Sequence, residues 1–274
     1  MTSVKDSVTL VIPVYNEQEC IQTVLSSWQK QLTEDDIDHD FLLINDGSTD
    51  QTLEILKDLE KKWSNLRVIH QKNQGHGAAV KNGYISSLEH QSNYIFQTDS
   101  DNQFSPEDFR LLWCRRKESL AVFGIRKARK DPFSRKMISL TLRSIISKFF
   151  GISIPDANIP YRLFEKRFFQ SLIQALPTGV FAPNVFLSIL AFKYLKKPIT
   201  IPVQHFSRDG TEAKLIRLGL IKACFQTFFD VLNFSYNINK KIAFINEKYL
   251  LDQASAQERK QLETKVRPAS AYAA

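Results

Sequence analysis

Cysteine is scarce: Cys20, Cys114 and Cys224 are the only three in 274 residues, far apart and odd in number, with no CxxC or Cys/His spacing. That excludes a disulfide framework and the familiar zinc spacings, and it points to a reducing compartment. Long apolar runs are missing as well. No stretch approaches the roughly 18 uninterrupted apolar residues of a membrane span, so any membrane contact is expected to be peripheral. The opening MTSVKDSVTLVIPVYNE enters a strand pattern directly, without the apolar region and small-residue cleavage site of a secretory leader. A cytoplasmic protein is the expectation. Internal repeats are absent too.

What the sequence has in excess is positive charge. Thirty-seven Lys and Arg against 29 Asp and Glu give a net +8, which suits a phosphate-rich partner such as nucleic acid, anionic lipid head groups or a nucleotide. A solvated basic surface explains the same number. Nucleic acid is disfavoured, because no nucleic-acid motif with interleaved aromatic residues accompanies the charge.

The first half alternates short apolar runs with amphipathic stretches. Strands are predicted at 8–14, 41–44, 66–70, 94–97 and 120–123, with helices at 17–30, 52–63, 77–90 and 105–117 between them. Such alternation predicts an α/β fold with a mainly parallel sheet flanked by helices, since parallel strands need crossover connections and bury both faces. Ligands of such sheets sit beyond the carboxyl ends of the strands. The polar clusters PVYNE, NDGSTD and TDSDNQ fall there.

Asp99 and Asp101 follow the run YIFQT, one carboxylate at a strand end and the next just beyond it. Two hard oxygen ligands so placed suit Mg²⁺ or Mn²⁺, which completes its shell with water and substrate phosphates. An acidic pair of this kind commonly caps the next helix instead. Here Ser105 and Pro106, followed by Glu107 and Asp108, already supply a helix start. In NDGSTD, Ser48, Thr49 and Asp50 are cap candidates, which leaves Asp46 as an acceptor-only side chain suited to a base or ribose.

IPVYNE, NDGSTD and TDSDNQ in that order, with NQGHGAAVKNG between the last two, resemble family 2 glycosyltransferases of the GT-A (Rossmann-like) fold, and within them the polyprenyl-phosphate branch of the dolichyl-phosphate mannose synthase type. The likeness covers roughly residues 7–210. It implies that Pro13, Tyr15 and Glu17 frame the nucleotide, that Asp46 contacts its base or ribose, and that Asp99, Asp101 and Gln103 form the metal and diphosphate shell. Asn45 departs from the family's usual DDG, the second acid being retained. Gly124-Ile125-Arg126 and Arg135 match the positions that serve the acceptor phosphate, a task for which the planar guanidinium fork is suited. PDANIPYRLF stands where the branch has D-x-x-x-G-F-R, so Asp156 and Arg162 match in a segment expected to be a loop touching sugar or acceptor.

Pro183-Asn184 lies where many relatives carry an acidic residue. A hydroxyl acceptor needs a carboxylate to deprotonate it, whereas a lipid phosphate is already anionic and attacks directly. The absent acid is tolerable for a phosphate nucleophile, and damaging for a hydroxyl one unless Asp156 serves as base. His205, with Arg208 and Asp209 after a further strand, is a candidate for closing over the diphosphate. Two basic amphipathic stretches, 126–153 and 214–236, either pack on the domain or lie in a head-group layer; the second, with Phe225, Phe228 and Phe229, suits the interface.

The expectation is therefore a GT-A domain over 1–211, amphipathic helices over 212–251 and a polar tail over 252–274. Its expected work is inverting, metal-dependent transfer of a hexose from a nucleotide diphosphate sugar (GDP-mannose or UDP-glucose type) to a polyprenyl phosphate or other lipid-linked acceptor, at the cytoplasmic face of a membrane. The rival readings are transfer to a glycan or glycolipid hydroxyl, and a non-catalytic nucleotide-sugar or nucleic-acid binder.

Overall fold

The structure, a computed structural model of the chain, describes residues 5–127, 133–177, 179–206 and 218–254. The central strands come first because their sequences allow nothing else. β1 (Ser7–Val14) and β2 (Asp38–Asp46) are apolar almost without interruption and buried along nearly their whole length, the signature of strands covered on both faces. They pair in parallel, Val14 opposite Asn45, and β2 pairs in parallel with β3 (Leu66–Gln71). β4 (Tyr94–Thr98) runs parallel to β1 on its other side. The full order is β3-β2-β1-β4-β6-β5-β7, with β5 (Ala121–Arg126), β6 (Tyr161–Glu165) and β7 (Ile199–Val203) completing seven strands among the described residues. Only β6 runs against its neighbours.

Side-chain alternation divides the core between the two faces of this sheet. Leu10, Ile12, Phe41 and Leu43 pack with α1 (Ile21–Glu34), α2 (Thr52–Lys62) and α4 (Phe109–Cys114). Val11, Leu42 and Ile44 face α3 (His76–Ser87), α6 (Lys166–Ala175) and α7 (Pro183–Leu195). α7 is buried from Pro183 to Phe192, as an all-round apolar helix must be. α5 (Phe133–Phe150), α8 (Leu218–Tyr236) and α9 (Ile238–Gln253) pack outside it. Phe234 of α8 meets Phe186 edge-on at 5.1 Å, and Ile245 of α9 is fully buried.

Several expectations need correction. α1 begins at Ile21, not Glu17, because Asn16 adopts φ +53° and the Glu17 carbonyl closes a turn with the amides of Cys20 and Ile21. The stretch from Ser105 becomes a 3-10 turn (Pro106–Asp108), capped by Ser105 Oγ, and then the short α4, which stops at Cys114. PDANIPYRLF is a loop only as far as Pro160; from Tyr161 it is β6, a central strand. The carboxyl-terminal half of α8 buries Val231 and Phe234 in the core, so that half packs on the domain, while Phe229 remains exposed. Phe225, Arg208, Asp209 and the tail from Ser255 onward lie outside the described residues or side chains. No helix among the described residues is long and apolar enough to cross a membrane.

Candidate active site

The carboxyl ends of β1, β2 and β4 lie side by side, and so do the motifs that follow them. The loops after β1 and β2 are sewn together by short polar side chains. Asn16 N–H donates to Ser48 Oγ at 3.0 Å, Glu17 N–H to Thr52 Oγ1 at 2.9 Å, and Thr49 N–H to Asn16 Oδ1 at 2.8 Å. Asp50 accepts from Thr52 N–H at 3.0 Å at the start of α2. Gly47 sits at φ +66°, where a Cβ would come within 2.6 Å of the Asn73 amide nitrogen. Only glycine fits that turn. Asn45 is fully buried, accepting from Ser48 Oγ at 2.5 Å and facing His70 Nδ1 through its own amide nitrogen at 2.8 Å. An aspartate there could not donate, and would need the His70 tautomer that carries its proton on Nδ1.

Pro13 is buried on β1, Tyr15 is exposed at the strand end, and Glu17 is buried with its carboxylate taking the Cys20 thiol at 3.2 Å. Asp46, buried, spends its carboxylate inside the protein: it accepts from Gln71 Nε2 at 2.7 Å, Gln74 N–H at 2.9 Å and Gly75 N–H at 2.8 Å. It thereby fixes the turn into α3, whose first residue, His76, reaches Asp99 with 3.8 Å between Nε2 and Oδ1. His76 lies in the NQGHGAAVKNG motif, but sequence reasoning gave it no role.

Asp99 Oδ1 also accepts from Gln97 Nε2 at 3.1 Å. Burial pushes the Asp99 carboxyl up to about 6, opposed first by His76 and reinforced by Asp101, with Arg126 and Arg162 opposing in turn. Asp101 Oδ1 accepts from Gln103 N–H at 3.3 Å, while Gln103 Nε2 donates to the Phe206 carbonyl at 3.1 Å. The loop carrying Asp101 is thus tied to the segment after β7, where His205 bridges to Phe104. A cavity of about 920 Å³ opens between them, lined among others by Glu17, Cys20, Asp50, Asp101 and His205.

Arg126 and Asp156 are brought together as a bidentate pair, Nε to Oδ2 at 2.7 Å and an Nη to Oδ1 at 3.0 Å, both side chains largely buried. Arg135 lies on α5, but its side chain is outside the described set. Arg162, expected in a substrate loop, is fully buried on β6 and donates to the carbonyls of Ile159 and Asn184 and to Ser188 Oγ. It braces the Asp156 loop against the start of α7.

The donor set suits a hard divalent cation. Asp99 and Asp101 stand two residues apart, each with its Oδ1 hydrogen-bonded within the protein, and Gln103, whose Nε2 is turned to the Phe206 carbonyl, follows with an amide oxygen. Among the described residues no three His, Cys, Asp or Glu side chains form a closed cage. An open pair matches Mg²⁺ or Mn²⁺, which relies on water and phosphate for the remaining positions, and not zinc.

Known proteins give this geometry a context. Two transferases named for undecaprenyl-phosphate 4-deoxy-4-formamido-L-arabinose are similar: one from Proteus mirabilis is 27% identical over 219 residues, and one from Photorhabdus laumondii is 29% identical over 220. The matches cover 79% and 78% of this chain but only 65% and 64% of those proteins, so the chain spans just under two thirds of their length. Mannosyl-3-phosphoglycerate synthase from Rubrobacter xylanophilus superposes with a TM-score of 0.64 at 11% identity, covering 85% of this chain and 75% of that one. Glucosyl-3-phosphoglycerate synthase from Mycobacterium tuberculosis, solved with Mn²⁺, UDP-glucose and phosphoglyceric acid, gives 0.61 at 16% identity, covering 84% and 80%. At those identities the likeness is one of fold, and the fold is GT-A. Residues 9–173, well over half of the chain, match the model described as glycosyl transferase family 2, and the chain belongs to that family.

Proposed function

We propose that this chain transfers a hexose from a nucleotide diphosphate sugar to a polyprenyl phosphate, with inversion, at the cytoplasmic surface of a membrane. The observation that carries the reading is the pairing of Arg126 with Asp156 beside the Asp99-Asp101 edge. A carboxylate with both oxygens held by a guanidinium is a poor general base, because taking a proton would cost it a charge-assisted pair. A hydroxyl acceptor needs such a base and a phosphate monoester does not. The arrangement therefore favours a phosphate nucleophile over the glycan-hydroxyl alternative. The names of the polyprenyl-phosphate relatives support the same acceptor class.

In this reading an acceptor phosphate oxygen attacks the anomeric carbon as the bond to the nucleotide diphosphate breaks, and the diphosphate leaves with the bonding pair. No proton has to move. Arg126, oriented by its pair with Asp156, and Arg135 take the acceptor phosphate. Pro13, Tyr15, Glu17 and the Asp46-anchored turn frame the nucleotide. Asp99, Asp101 and Gln103 hold Mg²⁺ or Mn²⁺, which when bound neutralises charge on the departing diphosphate. His205 and Phe206, tied to the Asp101 loop, cover the cavity and keep water from the donor.

Two measurements test the reading. Incubation with short-chain polyprenyl phosphates and GDP-mannose or UDP-glucose should yield a lipid-linked sugar; product on an oligosaccharide or glycolipid hydroxyl alone overturns the acceptor. Asp101→Ala at saturating Mn²⁺ should lose about a hundredfold or more in kcat. Transfer at the wild-type rate by that variant removes the metal assignment.

A further inference from the structure

A line of buried polar side chains leads to Asp99 from the opposite side of the sheet edge. Tyr84 on α3 donates its hydroxyl to Asn184 Oδ1 at 2.6 Å, and Asn184 Nδ2, in the first turn of α7, donates to Gln97 Oε1 at 3.1 Å. Gln97 Nε2, on β4, then donates to Asp99 Oδ1 at 3.1 Å. Tyr84, Asn184 and Gln97 are all buried, so each unmet bond would leave a desolvated polar group.

The order of these bonds follows from their two ends. An ionised Asp99 can only accept, so Gln97 must turn its NH₂ towards it and its carbonyl towards α7. That carbonyl can only accept, so Asn184 must offer its own NH₂, which leaves Oδ1 for the Tyr84 hydroxyl. Burial pushes the Tyr84 phenol well up, which keeps it protonated and a donor. Flipping Gln97 would set its oxygen against an Asp99 oxygen and its nitrogen against Asn184 Nδ2, and flipping Asn184 would set its oxygen against Gln97 Oε1. Among the orientations of the two amides, the one present is the only one in which every donor meets an acceptor.

We propose that Asn184, acting through Gln97, is a positioning residue that fixes the direction of this chain and so holds Asp99 in its metal-ligating orientation. The proposal rests on the reading of Asp99 as a metal ligand. It assigns position 184 a requirement that is chemical and not merely steric: the side chain must donate to Gln97 and accept from Tyr84 at once. A carboxylate of the same shape cannot donate. Asn184→Asp would draw the Gln97 NH₂ to itself and turn the Gln97 carbonyl on Asp99. Asn184→Leu removes both bonds but leaves Gln97 oriented by Asp99 and by the Tyr84 hydroxyl, which also lies 3.3 Å from Gln97 Oε1.

The test is Mn²⁺ affinity, read by calorimetry or by the paramagnetic resonance of free Mn²⁺, on full-length protein with UDP or GDP present and with melting temperatures recorded without metal. Asn184→Asp should weaken Mn²⁺ binding by about tenfold or more, and by more than Asn184→Leu does. A purely structural role predicts the reverse ranking, or losses that follow the melting temperature. Asn184→Asp binding Mn²⁺ as wild type does, or Leu losing as much as Asp, overturns the proposal. Should Asn184→Asp not fold, Gln97→Leu decides, with about a tenfold loss expected and unchanged affinity overturning it. Wild-type protein that binds no Mn²⁺ under these conditions overturns the metal reading itself, and the positioning role with it.

Discussion

Asp99 pays for its place at the end of a buried strand: ionisation there is unfavourable, and its carboxyl is held up near 6. The linkage has a definite sign. Relative to an unfolded carboxyl near 3.8, the raised group stabilises the fold fully below that value, and the contribution is lost as pH rises through about 6. Metal-free wild type should therefore lose stability against Asp99→Asn between pH 4 and 6.5, by at most about 3 kcal/mol. The figure is an upper bound because 23% of the side chain remains exposed. Calorimetric unfolding of both proteins across that range checks it, and parallel stability curves would refute it. At this scale the sequence revealed acidic pairs at strand ends because their chemistry is unusual there. It did not reveal what those acids bond to. Asp46 reads as an acceptor for a base or ribose, and nothing local in the sequence shows that its oxygens also take Gln71, Gln74 and Gly75. The Arg126 to Asp156 pair spans 30 residues, and no local pattern encodes such a contact.

Elements whose periodicity is strong were legible, and those that derive their character from tertiary position were not. β1 and β2 announce themselves by continuous apolar runs, and α1 by Val24, Leu25, Trp28 and Leu32 on one face. β6 was hidden because Arg162 interrupts its apolar run, and an arginine suggests solvent or substrate. The fold instead places that guanidinium where three buried acceptors need it. Arg162→Leu should consequently destabilise the protein by about 3 kcal/mol, because the Ile159 and Asn184 carbonyls stay buried without their donor. Arg162→Lys should recover little, since one ammonium cannot reproduce the planar fork. Urea unfolding measures both; a loss under about 1 kcal/mol for the Leu variant would show that water or rearrangement satisfies those carbonyls. Gly77 is a second such position. A Cβ there would come within 1.9 Å of the Phe181 carbonyl oxygen, so the close approach of α3 to the segment before α7 depends on glycine.

For the molecule as a whole, the proposed lipid acceptor would have to be met by a chain without a membrane-spanning helix among its described residues. Single exposed apolar side chains are ordinary on any surface. Several lie on the packed pair α5 and α8: Met137, Leu140 and Phe149 on the first, Phe229 and Tyr236 on the second, with Leu140 55% and Phe229 64% exposed. Arg143 and Lys148 stand exposed on α5 among them, and the chain carries a net +8. Apolar insertion combined with attraction to anionic head groups is the physics of a helix lying at an interface. Flotation with vesicles containing anionic lipid should recover the wild-type protein, with binding that weakens as salt screens the electrostatic part. Leu140→Asp combined with Phe229→Asp should lower the bound fraction about tenfold. Both side chains are exposed, so the melting temperature should hold, and transfer to a short water-soluble polyprenyl phosphate should be unaffected while transfer to vesicle-borne lipid falls. Equal flotation of variant and wild type would mean that α5 and α8 are packing elements alone, and that the lipid reaches Arg126 by another route.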